Sequence, residues 1–481
     1  MVKKRGKLKN GVIKKIVGLV FFLLMILFTV LAIINVNRLD ILPNKYFYIL
    51  VGVEVLFNII IGLLLLKTKK IGWFILGVIL SLLMIVGNFI VGNYFNKTNK
   101  FINKTFAEYM TVTTDYVVVT SVNNSKNTMD EVEAKHSVDY YKYSRDVDLA
   151  IKELGDYTYN TVDSFSHALN SMNSDSETYL LIGKADYDYA MEGTILYDKN
   201  NYKIIKEFSV EKKIKVNKEV KDSYTIYLNG TDFTGIMRDF NLLITINTKT
   251  KKILTTSILR GYYIDVPAYN KKDTLMCLGA YDSNVSKEAL EKLFNTKIDY
   301  IVNVNTNSLV DIVDTIGGVE FCSDYEFTTT HVLTDNTYND SRGKKITVSK
   351  GCREYNGLEA LAIARERLNL RNNERGRIEN CQKIMRGIIK KSMTTTSLLN
   401  FEEVLNSYSD LYTTDMNRNV VTNLAKSFIS NYNDYEITSI NLDGVDGTAM
   451  GHLETVEVGV TFPDYDQVNE ASKRIKAILE G

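Results

Sequence analysis

Three long apolar runs open the chain, and after them the rhythm of hydrophobic positions changes. Ile16–Val36, Tyr46–Leu66 and Ile71–Phe95 are almost uninterrupted by charge. Each is close to the ~20 residues an α-helix needs to cross the hydrocarbon core of a bilayer. The first run is too long for the apolar part of a secretory signal, no small-residue cleavage site follows it, and two more runs come next. The pattern predicts three transmembrane helices over 16–95, a tail over 1–15 and a polar, aromatic-spotted connector over 96–115.

Beyond the connector, short β-like runs alternate with helical ones. Tyr116–Ser121 and Thr178–Gly183 read as strands, and Ser144–Leu154 and Ser164–Asn173 as helices. This alternation predicts a small α/β accessory domain over 116–205. The charge-rich stretch Lys206–Lys221 reads as a boundary. From there the pattern is denser. Ser223–Asn229, Asn241–Asn247, Ile253–Ile258, Asp299–Val304 and Val319–Cys322 read as strands. Ser286–Leu293, Leu309–Thr315, Gly357–Arg367 and Arg375–Lys391 read as helices, the last amphipathic through Ile378, Met385, Ile388 and Ile389. The expected fold class is α/β, a mixed sheet flanked by helices over 222–395. A C-terminal extension of helix plus strand over 396–481 is expected to pack on it.

Charge adds an orientation. The net charge is only +1, which gives the whole molecule no bias toward nucleic acid. The first fifteen residues, however, carry Lys3, Lys4, Arg5, Lys7, Lys9, Lys14 and Lys15 and no acid, and the link between the second and third runs is Lys67-Thr68-Lys69-Lys70. The positive-inside rule puts both in the cytoplasm, and three crossings leave everything after about Asn96 outside. Glu54 and Asn58 lie four apart in the second run, on one helix face. Burying an ionisable group in lipid is costly, so the pair is expected to face another helix, as an interhelical hydrogen bond or as a proton- or partner-sensing site.

Candidate chemistry is concentrated in arginine. Only 15 of the 58 basic residues are arginines, yet Arg365, Arg367, Arg371, Arg375, Arg377 and Arg386 crowd one stretch. The guanidinium fork binds phosphate oxygens bidentately, which lysine does poorly. A solvated helix with pairs such as Arg375–Glu379 would explain the same pattern, and nucleic acid is excluded by the expected placement outside the membrane. Outside a membrane, lipid-linked pyrophosphates are a natural class of phosphate ligand, and such a ligand would also need an apolar cleft for its chain. His136, His167, His331 and His452 show no zinc-ligand spacing, and four cysteines are too few for a disulfide scaffold.

These residues resemble a known family. Asp239-Phe-Asn-Leu-Leu-Ile-Thr-Ile-Asn247, Lys249–Lys252 and Ser257-Ile-Leu-Arg-Gly-Tyr-Tyr263 are similar to the LytR-CpsA-Psr pattern Ser-Asp-x-Asn…Ser-x-Pro-Arg-Asp-x-Tyr. Ile298-Asp-Tyr300 with Val310–Val319, Asn356-Gly-Leu-Glu-Ala-Leu-Ala-Ile-Ala-Arg-Glu-Arg367 and Glu374-Arg-Gly-Arg377 resemble its later motifs, in the same order. The resemblance covers roughly Tyr224–Ser392. It implies transfer of an anionic glycopolymer, of the wall teichoic acid or capsular polysaccharide type, from a polyprenyl-pyrophosphate carrier to peptidoglycan. By position it implies Asp239, Arg260, Arg365 and Arg367 as catalytic residues. Arg375, Arg377 and Arg238 would bind substrate, and Asp232 and Asp239 would hold Mg²⁺. Phosphoryl transfer rests on positioning and charge neutralisation, which suits such a set.

The chain departs from that pattern. Leu259 and Gly261 replace a Pro and an acid, Thr274 replaces a Lys after Asp273, Glu374 replaces Asp, and Cys381 stands where a Gln is expected, with Gln382 beside it. Met237 stands where an Arg is common and Arg238 follows it, as if displaced by one. Two readings follow: a Mg²⁺-dependent glycopolymer phosphotransferase, or a protein of the same fold that grips the lipid pyrophosphate or scaffolds wall assembly without turnover. Cys322 and Cys352 either pair, as the compartment permits, or stay as buried thiols.

Overall fold

A computed structural model of the chain describes all residues except 1, 106–108, 143, 145, 164, 194–197, 216–218, 232–236, 281–282, 305, 331–344, 393–411, 432–433 and 452–456. The apolar runs form helices α1 (Val2–Leu39), α2 (Asn44–Leu66) and α3 (Ile71–Thr105). Over Val12–Leu39, Asn44–Leu66 and Ile71–Asn103 they are long and apolar enough to cross a membrane. Most of their large apolar side chains point outward, as expected where lipid is the solvent. Glu54 and Asn58 face the neighbouring helices: Asn88 donates to Thr29 Oγ1 (3.0 Å) and Glu54 Oε2 (3.3 Å), and Asn58 donates to Thr29 Oγ1 (3.1 Å). One polar cluster thus ties all three helices together.

The first half of the expected connector is helix and its end is strand. α3 runs on to Thr105, and strand β1 (Tyr109–Ser121) begins soon after. β2 (Ser137–Tyr141), α4 (Val147–Leu154), β3 (Thr158–Val162), α5 (Phe165–Ser174), β4 (Tyr179–Gly183), α6 (Lys184–Gly193) and β5 (Tyr202–Lys215) complete an accessory unit. Its sheet has the order β3-β2-β4-β1-β5. β5 pairs along the whole of β1, Tyr109↔Lys215 to Ser121↔Tyr202. Most of the Lys206–Lys221 stretch read as a boundary is therefore edge strand, whose lysines keep that edge soluble.

The second unit is built on six strands in the order β16-β11-β6-β7-β8-β17. β6 (Ser223–Thr231), β7 (Arg238–Asn247) and β8 (Lys252–Ile258) form an antiparallel meander. β11 (Tyr300–Val304) joins parallel to β6, and β17 (Glu436–Asn441) parallel to β8. Short β16 (Tyr412–Thr414) closes the β11 edge. Both faces are covered, so β6 is buried along nearly its whole length. Tyr227, Leu243 and Leu254 pack on one face under α7 (Ser283–Phe294) and α12 (Tyr465–Glu480); Tyr224, Ile246 and Ile253 pack on the other under α11 (Arg418–Asn431). The C-terminal region is not an appendage packed on a finished domain, because β16 and β17 are the two edges of the sheet.

Two short ribbons, β9 (Tyr263–Val266) with β10 (Lys271–Thr274) and β13 (Phe327–Thr328) with β14 (Thr347–Val348), lie outside this sheet, and the elements between and after them position the site. α8 (Thr306–Thr315) leads through Gly317-Gly318 into β12 (Val319–Ser323), which pairs with β15 (Gly351–Tyr355). Within that ribbon Cys322 and Cys352 form a disulfide. α9 (Gly357–Arg365) starts with a capping box, in which Asn356 and Glu359 satisfy each other's backbone N–H at 3.0 Å. A Cβ at Gly357 would lie 2.1 Å from the Val310 carbonyl oxygen, so only glycine lets α9 cross α8 this closely. α10 (Asn373–Ser392) follows, then α11, β17 and a hairpin of β18 (Gly444–Met450) and β19 (Glu457–Pro463).

Candidate functional site: a guanidinium-lined mouth on an apolar cleft

β7 emerges from the sheet at Arg238-Asp239. Neighbouring strand residues point to opposite faces, and here they part. Asp239 turns to a cavity of about 210 Å³ that it shares with Arg260, Arg365, Arg367, Glu374 and Arg377. Arg238 turns inward, 5% exposed, and donates to Asn229 and Asn303. It lines neither this cavity nor the next and stands as a buried strut between β7, β6 and β11, apart from the arginines with which it was expected to bind substrate.

The charges in the cavity are cross-braced. Arg260 Nη1 lies 2.5 Å from Asp239 Oδ1, and its Nε lies 3.2 Å from Glu374 Oε1. Arg377 grips the same Glu374 from one helical turn away and donates to the Asp239 carbonyl (2.9 Å), which locks α10 onto β7. Burial alone would raise the Glu374 carboxyl's pKa. The hydrogen bond from Arg377 and the charges of Arg377, Arg260 and Arg367 override it and hold the group below the ordinary range.

Arg365 and Arg367 reach the cavity because α9 stops between them. Glu366 is buried, and its carboxylate accepts from the backbone N–H of Arg367 (3.0 Å) and Asn369 (2.8 Å), and from Thr330. The extended backbone at Glu366 breaks the helical spacing. Both flanking arginines thereby line one wall. Arg375 does not join them. Its guanidinium lies on Asp443 (2.5 Å), Asp446 (3.0 Å) and the Gly444 carbonyl (2.9 Å). Arg375, expected to bind substrate, here clamps the β18–β19 hairpin. Arg371 stacks on Tyr325, 4.2 Å from the ring centre.

A second cavity, about 250 Å³ and largely apolar, continues from the first. Asp239, Leu361, Arg365 and Arg377 line both. Its walls are Phe240, Val304, Ile312, Ile384 and Ile388, from β7, β11, α8 and α10. Cys381 also lines it, its thiol pushed up to about 11 by burial. Gln382 does not take over the place of the expected Gln, since its amide donates into the sheet to Ile440 O (3.0 Å). Apart from Ile388, marked by its amphipathic helix, and Cys381, marked as a departure from the family pattern, none of these wall residues stood out in the sequence, because each is an ordinary core residue in its own element.

The other departures have physical reasons. A Cβ at Gly261 would meet Thr461 Oγ1 at 3.1 Å, and Thr461 N donates to Gly261 O (2.7 Å). The β19 strand therefore packs where the resemblance expects an acid. Asp273 and Thr274 are both buried and line neither cavity, and the Thr274 hydroxyl bonds to Cys277 Sγ at 3.0 Å. Asp232 lies outside the described residues. Among the described residues no group of three or more His, Cys, Asp or Glu could hold a metal.

The LytR_cpsA_psr family model matches residues 190–476, more than half the chain. The chain belongs to the LytR-CpsA-Psr family. The match takes in the last strand of the accessory unit and the second unit as far as Lys476, within α12. Among relatives, the polyisoprenyl-teichoic acid–peptidoglycan teichoic acid transferase TagU of Enterococcus faecalis is 25% identical over 53% of this chain and 79% of its own. TagU of Bacillus cereus is 28% identical over 56% of this chain and 86% of its own. A solved structure of TagT bound to LIIa-WTA is 23% identical, covers 54% of this chain and 92% of its own, and has a TM-score of 0.43.

Proposed function

We propose that this LytR-CpsA-Psr protein transfers an anionic glycopolymer, of the wall teichoic acid or capsular type, from a polyprenyl pyrophosphate to peptidoglycan outside the cytoplasmic membrane. One observation carries the reading: a guanidinium-lined mouth and an apolar cleft share Asp239, Leu361, Arg365 and Arg377. A pyrophosphate ester of an isoprenoid is the ligand class with those two halves joined. The relatives named as teichoic acid transferases support the same substrate class.

In this reading Arg365, Arg367 and Arg377 hold the two phosphates, and Arg260 stands across the mouth on Asp239. The acceptor hydroxyl attacks the phosphorus that bears the glycan. The bond from that phosphorus to the bridging oxygen breaks, and polyprenyl phosphate leaves. Asp239, 36% exposed at the junction, receives the hydroxyl proton. Mg²⁺ is part of the proposal: it commonly takes one carboxylate plus phosphate oxygens, and Asp239 is the carboxylate suited to share it. When bound, the ion would neutralise charge on the leaving phosphate.

The proposed orientation places the basic tail and the α2–α3 link in the cytoplasm. Lys14 Nζ donates to Thr68 O at 2.8 Å, so both basic segments meet at one end of the bundle. The Cys322–Cys352 bond fits an oxidising compartment at the other end. A second reading, binding without turnover, is favoured by the packing of β19 over Gly261. The test incubates the full chain in vesicles with polyprenyl-pyrophosphate glycan, peptidoglycan and Mg²⁺. Release of polyprenyl phosphate that stops in Asp239→Asn supports transfer; tight binding with no release supports the second reading.

A further inference from the structure

Helix α11 joins the second unit to the membrane anchor. Arg418, at its first turn, donates to the Arg38 carbonyl at the end of α1 and to Asn103 and Asn99 (2.9 Å) on α3. A cation at a helix C-terminus meets free carbonyls and the negative end of the helix dipole. Two turns on, Lys426 pairs with Asp40 at 2.8 Å. Between them Val421 packs on Leu39 and Ile102, both fully buried. Asn99 in turn donates to Asn35 O (3.0 Å), holding the outer ends of α1 and α3 together.

The same helix is fixed to both walls of the apolar cleft. β16, just before it, pairs with β11 (Val302↔Thr414), and Val302 and Val304 line the cleft. The Asp415 carboxylate accepts from the Ile301 N–H at 2.6 Å. On the other wall Ile389 of α10 packs with Val420 and Leu424, one residue from cleft-lining Ile388. A chain of direct contacts thus runs from the outer ends of the membrane helices through α11 to β11 and α10.

We propose that the α11–anchor joint is a positioning device: Arg418 and Lys426 hold the apolar cleft against the bilayer surface, so that an isoprenoid chain passes from lipid into the cleft without crossing water. Arg418 and Lys426 touch no reacting atom and act through placement. The inference rests on the proposed polyprenyl-pyrophosphate substrate for its functional consequence, but the joint itself is testable without it.

The experiment compares the full chain with the double variant Arg418→Glu/Lys426→Glu in phospholipid vesicles. Two donors carry the same glycan pyrophosphate: one on a long isoprenoid held in the vesicle, one on a short, water-soluble prenyl chain. The expected result is a loss of roughly tenfold or more with the embedded donor, the scale at which misplacement acts, and an unchanged rate with the soluble one. Equal rates for both proteins on both donors overturn the proposal, and so does a parallel loss on both. A second measurement needs no turnover. Spin labels at exposed Lys45→Cys and Leu358→Cys should give one narrow distance in the otherwise wild-type chain and a broad distribution in the double variant. A distribution that is already broad, or one that stays narrow in the variant, overturns the joint. If the wild-type chain transfers neither donor, the transferase reading fails, and the distance measurement still decides the joint.

Discussion

Breaking the Cys322–Cys352 bridge should lower the melting temperature of the second unit by about 10 °C. The two cysteines face each other across the β12–β15 ribbon and close a loop with a sequence separation of 30. Chain-entropy arithmetic for a loop of that length gives about 3.5 kcal/mol of stabilisation through the unfolded state. For a unit of this size, 1 kcal/mol moves the melting point by about 2–4 °C. The ribbon also leads through Tyr355 into the Asn356 cap of α9, the helix that ends on Arg365. Loosening it should therefore weaken pyrophosphate binding as well. The assay is thermal unfolding of the detergent-solubilised chain, wild type with and without reductant against Cys322→Ser/Cys352→Ser. The serine variant should melt low under both conditions, and reductant should bring the wild type down to it. A wild-type melting point that reductant moves by less than about 2 °C would refute the reasoning. It would mean either that the loop is already ordered in the unfolded ensemble or that the ribbon opens locally without the core.

Arg365→Ala should weaken binding of a prenyl pyrophosphate roughly 10–100-fold, the scale of a charge-assisted hydrogen bond. Arg375→Ala should leave that affinity within about twofold while lowering the melting point, because it frees the hairpin at Asp443 and Asp446; calorimetric titration separates the two. Asp186, in the accessory unit, is fully buried, with one carboxylate oxygen bonded to Ser144 and the other without a partner, and burial pushes its pKa up to about 7. Its folded pKa lies above the unfolded one, so its charging costs stability as pH rises from about 4 to about 7, by up to about 4 kcal/mol. Asp186→Asn should thus raise the melting point at about pH 8 and not at about pH 4; an equal effect at both would reject the buried acid. The raised thiol pKa of Cys381 predicts no alkylation by iodoacetamide at about pH 8 until the protein is unfolded.

The pattern of positions foretold the sheet better than its edges. β6, β7 and β8 are long apolar runs separated by polar turns, and each reads as a strand on its own. β16 is three residues long and β17 joins parallel at a distance in sequence, so neither carries a local signal that it completes the sheet. The arginine cluster was legible as a cluster but not as a site. Arg375 and Arg377 are two apart on a helix, about 200° around its axis, and so cannot face one cavity. The same geometry on a strand separates Arg238 from Asp239. Arg365 and Arg367 escape the rule because Glu366 ends the helix between them, through contacts with Thr330 that no local pattern reveals. The cleft was the least legible part: its lining comes from several elements, and periodicity marks each residue only as core.

The central claim is that phosphate grip and apolar cleft act on one ligand. Titrating the full chain with inorganic pyrophosphate, a short prenyl pyrophosphate and a long one, each also against Arg365→Ala and an Ile384→Arg variant that fills the cleft, tests it directly. The account predicts affinity that rises with prenyl length, a loss in Arg365→Ala for all three ligands, and a loss in Ile384→Arg for the prenylated ones alone. Affinity independent of chain length, or unaffected by both variants, would contradict it.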